Sequence, residues 1–352
     1  MRNLDDQNTY ATVDPRNLRG RILEMGKDCQ NGYATGKSLA PLPGAGSIRQ
    51  IVIAAMGGSA AGASLAAALA TQTAAVPIIL WKEYGLPAFA KGPETLVMAL
   101  SNSGNTEEIA SAFEQATQRG CAAVAITTGG RLAQMARAAG AGLITYEWAF
   151  PISSVPWTAF AVLGALVALG VLPEMAPDVS ETEAVLAAMN DKLRPESPAM
   201  HNGAKRMAGQ FMDRLPVMYG AGIFAPVAKL WKAQMHERAK SLAASEEMPD
   251  LNHNAVESYD HPQAVWQKSI VIALRGAADH PRVARRYEAT TTLMLEAGLN
   301  QDSARAQGHS QMAQMFSLVL YGEWVTYYTA IIAGTDPLQE HAVTRMKEIL
   351  AS

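Results

Sequence analysis

From Arg49 onward, short apolar runs alternate with alanine-rich stretches in which apolar residues recur at helical spacing. RQIVIAAM, VPIILW, TLVMAL, CAAVAIT and GLITYEW predict strands. GGSAAGASLAAALA reads as a loop entering a helix, and RLAQMARAAG as a further helix. NTEEIASAFEQATQRG predicts a helix with acids in its first turn and a glycine stop, as the dipole and C-cap rules favour. Strands that are apolar almost throughout, each followed by a helix, predict a parallel sheet covered on both faces. The alternation relaxes between about Pro151 and Asp213, where helices follow one another. It resumes with the strands LPVMYGAG and SIVIALRG and the helices APVAKLWKAQMHERAKSLA and HPRVARRYEATTTLMLEAG. A last long helix runs from about Gln311 to Ala333. The expected organisation is an N-terminal helical segment (1–48), a first α/β unit (49–195) and a second (196–352) ending in helices.

A chain of 352 residues has room for two domains, and 49% hydrophobic against 17% charged residues suits large buried cores. The net charge of −3, without a cluster of Lys or Arg, gives no case for nucleic acid. Cys29 and Cys121 alone make neither a disulfide framework nor a zinc site, which fits a reducing compartment. The polar start MRNLDDQNTYATVDPRN is unlike a secretory signal. The longest apolar run, Trp157 to Leu172, falls short of the roughly 20 residues of a membrane span and is bounded by Pro156 and Pro173. It reads as a buried helix, and the protein as cytoplasmic.

Two loops then stand out, each at the carboxyl end of a predicted strand, where open parallel sheets bind ligands. Gly57 to Ser64 has the outline of a nucleotide-triphosphate loop, but Ala63 replaces its lysine. The G-x-G-x-x-G dinucleotide pattern is absent there as well. In LSNSGNTEE, Gly104 lets a ligand approach the backbone, and Ser101, Ser103 and Thr106 offer hydroxyls at a helix start. Ordinary capping is the competing reading. Several neutral donors without a cation suit a monophosphate. Among the histidines and acids no H-x-x-x-H spacing occurs, so no metal is expected.

MGGSAAG, SNSGNTEE and TTGGRLAQMA together resemble the SIS (sugar isomerase) domain. WKAQMHERAK and MPDLNHNAVES resemble the signature stretches of the bifunctional phosphoglucose/phosphomannose isomerases, and YGEWVTYYTAIIAGTDPLQEHAVTRMKEIL resembles their C-terminal segment. The resemblance implies an α/β fold of two SIS-type, flavodoxin-like parallel-sheet subdomains flanked by helices. It implies isomerisation of glucose 6-phosphate and fructose 6-phosphate, with mannose 6-phosphate as a further substrate, through a cis-enediol and without a cofactor. By the same resemblance Ser101, Ser103 and Thr106 hold the phosphate, while Gly58 and Ser59 line the sugar. Glu237 is the base between C2 and C1. His253 opens the ring from the partner subunit of a homodimer with a shared active site, and Lys347 lies close to the substrate. On residue type alone Glu237 reads as a solvated helical acid with Lys240 as its surface partner, and Lys347 as an exposed terminal lysine. For His253, between two asparagines, both readings stand.

Three positions depart from the family pattern. In FPISSVPWTAF, Trp157 stands where the family carries an arginine that steadies the enediolate. The loss of such a cation is worth roughly 10²–10³ in rate, unless Arg131 or another base replaces it. The motif NHNE becomes NHNA, with Glu257 further on. His236 and Arg238 replace the family's more usual asparagines beside Glu237. Two alternatives follow: a phosphosugar-binding protein with weak or no isomerase activity, and an isomerase of a different phosphosugar.

Overall fold

The computed structural model describes residues 2–42, 44–148 and 154–351; residues 150–153, the start of FPISSVPWTAF, lie outside them. The chain forms two compact units, one of Met25–Glu183 and one of Met1–Glu24 with Ala184–Ser352. The division thus falls at 24/25 and 183/184 rather than after 48 and 195.

In the unit 25–183, strands β1 (Gln50–Ala55), β2 (Ile78–Trp81), β3 (Thr95–Ser101), β4 (Ala122–Thr127) and β5 (Gly142–Thr145) form a parallel sheet in the order β2-β1-β3-β4-β5. All seven residues of β3 are buried, as expected of a central strand with both faces covered. Helix Met25–Lys37 joins this unit through a seam of small residues against helix Val155–Ala168. A Cβ on Gly36 would lie 2.2 Å from Ala161 O, and one on Gly164 would lie 2.3 Å from Tyr33 O. Such close backbone approach keeps 25–37 with the first sheet. Helix Gly57–Ala70 begins directly after β1, so GGSAAG is the first turn of a helix instead of a loop.

In the other unit, β6 (Leu215–Ala221), β7 (Ala244–Met248), β8 (Ser269–Arg275) and β9 (Gln301–Arg305) form a parallel sheet in the order β7-β6-β8-β9. Its edge strands ASEEM and QDSAR are polar and half exposed, so neither shows the apolar run that identifies a central strand. Helix Gln311–Ala333 is buried over nearly its whole length. Its Trp324, Tyr327 and Tyr328 form an aromatic cluster with Tyr10, which anchors the first helix of the chain to this unit. The single helix expected over APVAKLWKAQMHERAKSLA is instead an α-helix, Ala225–Gln234, followed by a π-turn, Met235–Ala239. Lys240, in the left-handed region at φ 52°, stops it.

Candidate active site

The chain leaves β1 towards β2 on one side and β3 towards β4 on the other. At such a reversal the loops leaving the strand ends diverge and open a crevice. Ala55 pairs with Leu100 at this end, so the segments starting at Met56 and Ser101 emerge side by side. Gly58 and Ser59 therefore share an edge of the sheet with Ser101, Ser103 and Thr106.

Ser101 is buried, and its Oγ accepts the Gly104 N–H at 3.1 Å and lies 2.8 Å from Thr106 Oγ1. Ser103, exposed, accepts the Asn105 N–H on its Oγ at 3.2 Å. Thr106 occupies the N-cap of helix Glu107–Gln118 with extended backbone, yet its side chain makes no cap bond. The ordinary capping role is absent: the hydroxyl turns to Ser101 and leaves the helix start without a side-chain cap. Helix Gly57–Ala70 likewise starts at Met56 with no side-chain cap. Two uncapped helix starts at one sheet edge leave main-chain N–H groups and the positive dipole ends available to an anion.

The loop's shape is imposed by its neighbour TTGGR. Gly104 has φ 70°, and a Cβ there would lie 1.9 Å from Gly129 O. Across the contact Gly130 has φ 64°, and its Cβ would lie 2.5 Å from Ser103 O. Thr128 donates its N–H and hydroxyl to Asn102 O at 3.1 and 2.6 Å. Leu132 N–H reaches Gly104 O at 2.9 Å, and Arg131 N–H reaches Asn105 Oδ1 at 3.1 Å. Arg131 is exposed at this junction, and its guanidinium makes no hydrogen bond or ion pair among the described residues.

Trp157, 5% exposed, stacks on Tyr146 with ring centroids 3.8 Å apart. The Tyr146 hydroxyl donates to Asn102 Oδ1 at 2.8 Å, and burial raises its pKa. Trp157 therefore props the phosphate-loop candidate through Tyr146. Sequence reasoning missed Asn102 and Tyr146. Both lie within quoted motifs, but only pairing across the sheet makes them partners.

Glu237, His253 and Lys347 belong to the other unit, and no hydrogen bond or ion pair joins them among the described residues. Glu237 lies in the π-turn. Its side chain reaches solvent, but the surrounding protein costs the carboxylate solvation, and this raises its pKa. Arg238 and Lys240 oppose the shift; Glu340 and Glu323 reinforce it. The expected surface pairing is not what Lys240 makes: its Nζ donates to the main-chain oxygen of Glu237 and leaves the carboxylate unengaged. His236 Nε2 lies 3.1 Å from Ala243 O and accepts the Ala243 N–H at 3.2 Å. It therefore braces the turn. His253 is exposed at the end of a short 3₁₀ turn, while its neighbour Asn252 is held by Thr290 and Arg286. Glu257 is also exposed. Lys347 lies on helix His341–Ala351, which also exposes Val343, Met346, Ile349 and Leu350. Among the described residues no group of three or more His, Cys, Asp or Glu is placed to hold a metal ion.

Residues 200–350 match the bacterial phospho-glucose isomerase C-terminal SIS domain. A bifunctional phosphoglucose/phosphomannose isomerase of Caldicellulosiruptor bescii is 31% identical over 332 residues, 94% of this chain and 98% of its own. One from Aquifex aeolicus is 29% identical over 316 residues, 89% of this chain and 92% of its own. The crystal structure of a glucose-6-phosphate isomerase like protein from Thermus thermophilus aligns with a TM-score of 0.62 at 20% identity. That alignment covers 99% of this chain and 100% of the other. Two parallel sheets, with a tightly held serine–glycine loop at the first switch point, make this an α/β protein of SIS type. The chain belongs to the family of bifunctional phosphoglucose/phosphomannose isomerases.

Proposed function

We propose that the protein is an aldose–ketose isomerase of hexose 6-phosphates that interconverts glucose 6-phosphate and fructose 6-phosphate and also accepts mannose 6-phosphate. Its relatives' names support the substrate class. The observation that carries the chemistry is the Glu237 carboxylate, unengaged among the described residues and made more basic by lost solvation. In this reading Ser101, Ser103, Thr106 and the uncapped N–H groups after Thr106 hold the phosphate dianion, with Gly58 and Ser59 along the sugar. His253 opens the ring by moving a proton between the ring oxygen and the anomeric hydroxyl, and Lys347 approaches the substrate. Glu237 takes the C2 proton of the open aldose to give the cis-enediol and returns it to C1, while the hydroxyl proton passes from O2 to O1. A base pKa raised towards the working pH suits both directions of transfer.

The molecule acts as a homodimer in the cytoplasm in this reading. The apolar residues exposed on helix His341–Ala351 support the first point. No helix among the described residues is long and apolar enough to cross a membrane. Sedimentation should give twice the 37.5 kDa chain mass, and Met346→Glu with Leu350→Glu should lower it. A species of single-chain mass at working concentration would refute the dimer.

Incubation with fructose 6-phosphate in D₂O tests the chemistry. The expected result is glucose 6-phosphate with deuterium at C2, and a kcat lowered about 10²–10⁴-fold in Glu237→Gln. Undiminished turnover in that variant would remove Glu237 from the mechanism. Trp157, stacked where the family has an arginine, favours a second reading in which the site binds phosphosugars with little turnover. Tight binding of fructose 6-phosphate without product would select it.

A further inference from the structure

We infer that the buried Arg238–Glu323 pair, completed by Gln234, is a positioning device that holds the π-turn bearing Glu237 in its working shape. The inference rests on the proposed role of Glu237 as the base. The turn Met235–Ala239 follows helix Ala225–Gln234 without a break, and the Ser241 N–H closes it by donating to Met235 O at 3.1 Å. A π-turn is a strained departure from α-helix and persists where surrounding contacts over-determine it.

Those contacts flank Glu237. On one side the His236 ring engages the main chain of Ala243. On the other the Arg238 side chain, 7% exposed, turns inward. Its Nη1 lies 2.6 Å from Glu323 Oε2 and donates more weakly, at 3.4 Å, to Glu323 O and Thr326 Oγ1. The other carboxylate oxygen of Glu323 accepts Gln234 Nε2 at 2.6 Å. Glu323 sits on helix Gln311–Ala333, which is keyed to helix Ala225–Gln234 just upstream. There Trp231 Nε1 donates to Leu318 O at 3.0 Å, and a Cβ on Gly322 would lie 2.0 Å from that nitrogen. The turn is thus tied from both ends, through Gln234 and Arg238, to a helix buried over nearly its whole length.

Stability does not account for this network. Burying an ion pair costs desolvation that the attraction scarcely recovers, and apolar side chains of similar volume serve a core as well or better. Gln234 Oε1 is moreover buried without a hydrogen-bond partner, and a partly satisfied polar network is a poor core. What the network supplies is direction. With Arg238 drawn in, the adjacent Glu237 is turned outward.

The charged groups acting on Glu237 are Arg238 and Lys240 in its own segment, Glu323 on the packed helix, and Glu340 beyond that helix. Arg238 lowers the Glu237 pKa and Glu323 raises it, so the two partners act with opposite sign. The test compares Arg238→Lys, Glu323→Gln, the double variant Arg238→Met/Glu323→Leu, and Glu237→Gln as reference, in the fructose 6-phosphate assay. The apolar double variant should melt at or above the parent temperature yet lose about 100-fold in kcat with KM little changed, the size of a roughly 1 Å misplacement. Glu323→Gln should move the acid limb of the kcat–pH profile to lower pH, and Arg238→Lys, which keeps the charge, should retain most of the parent rate. A double variant that is folded and has the parent kcat would overturn the positioning role while a dead Glu237→Gln left the base role intact. Full turnover in Glu237→Gln would overturn both.

Discussion

The surroundings of Glu237, the base of the proposed reaction, make it costly to keep ionised. Its pKa in the folded protein lies above the ordinary 4.5, so the folded state holds the proton more tightly than the unfolded chain does. The ionised form therefore subtracts stability above the folded-state pKa, and this cost fades as pH falls towards 4.5. Glu237→Gln should melt at a higher temperature than the parent near neutral pH, and at the same temperature below pH 4.5, as calorimetry at both pH values will show. Thr106 gives a second prediction. Its hydroxyl is directed to Ser101 and makes no cap bond, so Thr106→Val should leave the helix intact by circular dichroism. It should raise the KM for fructose 6-phosphate about tenfold, near 1.4 kcal/mol. Trp157 was legible as a departure from the family pattern. Its place against Tyr146, and through it Asn102, was not, because a contact between a residue just past one strand and a residue in the next helix leaves no periodic signal.

Among the elements, the loop between β3 and its helix depends on one backbone conformation. Gly104→Ala places a methyl group against Gly129 O at 1.9 Å and a side chain at φ 70°. Phosphosugar binding should be lost by calorimetric titration. Stability should fall by about 1–3 kcal/mol in urea as the loop is forced from a strained region. The central strands were legible because β1, β3, β6 and β8 are apolar runs. The edge strands β7 and β9 were not, because pairing on one side only tolerates ASEEM and QDSAR. The π-turn was also illegible. Helical periodicity continues through MHERAK, and the ion pair that flanks the turn, Arg238 to Glu323, joins residues 85 apart in the chain.

At the scale of the whole molecule, one architecture is used twice and its loop ends differ. In the second sheet the order reverses between β6 and β8, but the chain's own side chains occupy that edge. Phe224, Gln314 and Ala306 close on Gly276, and Asp279 and Gln314 accept the Gly276 and Ala278 N–H groups. The helix starts after β1 and β3 in the first sheet lack side-chain caps, whereas in the second sheet the helix after β8 is capped by His280. Saturating fructose 6-phosphate at about 100 times Kd should stabilise the parent by about 2.7 kcal/mol, seen as a raised Tm that Gly104→Ala lacks. The chain's beginning is fastened in the other unit by Lys205. Its fully buried Nζ donates to Leu4 O and Pro195 O at 2.8 Å and to Asp5 at 2.9 Å. Lys205→Met should cost about 3 kcal/mol in chemical denaturation by stranding those acceptors.

The sequence by itself determined the parallel sheets, the serine–glycine loop at a strand end and the family resemblance. Apolar runs, helical spacing and glycine at a tight turn are local properties, readable one segment at a time. Only the tertiary structure decided that Thr106 does not cap its helix, that TTGGR clamps the loop, that Trp157 stacks on Tyr146, and that Glu237 rides a π-turn pinned by a buried ion pair. Each depends on which side chains meet across the fold, and the free energy of a contact is absent from the chain until folding brings its two halves together.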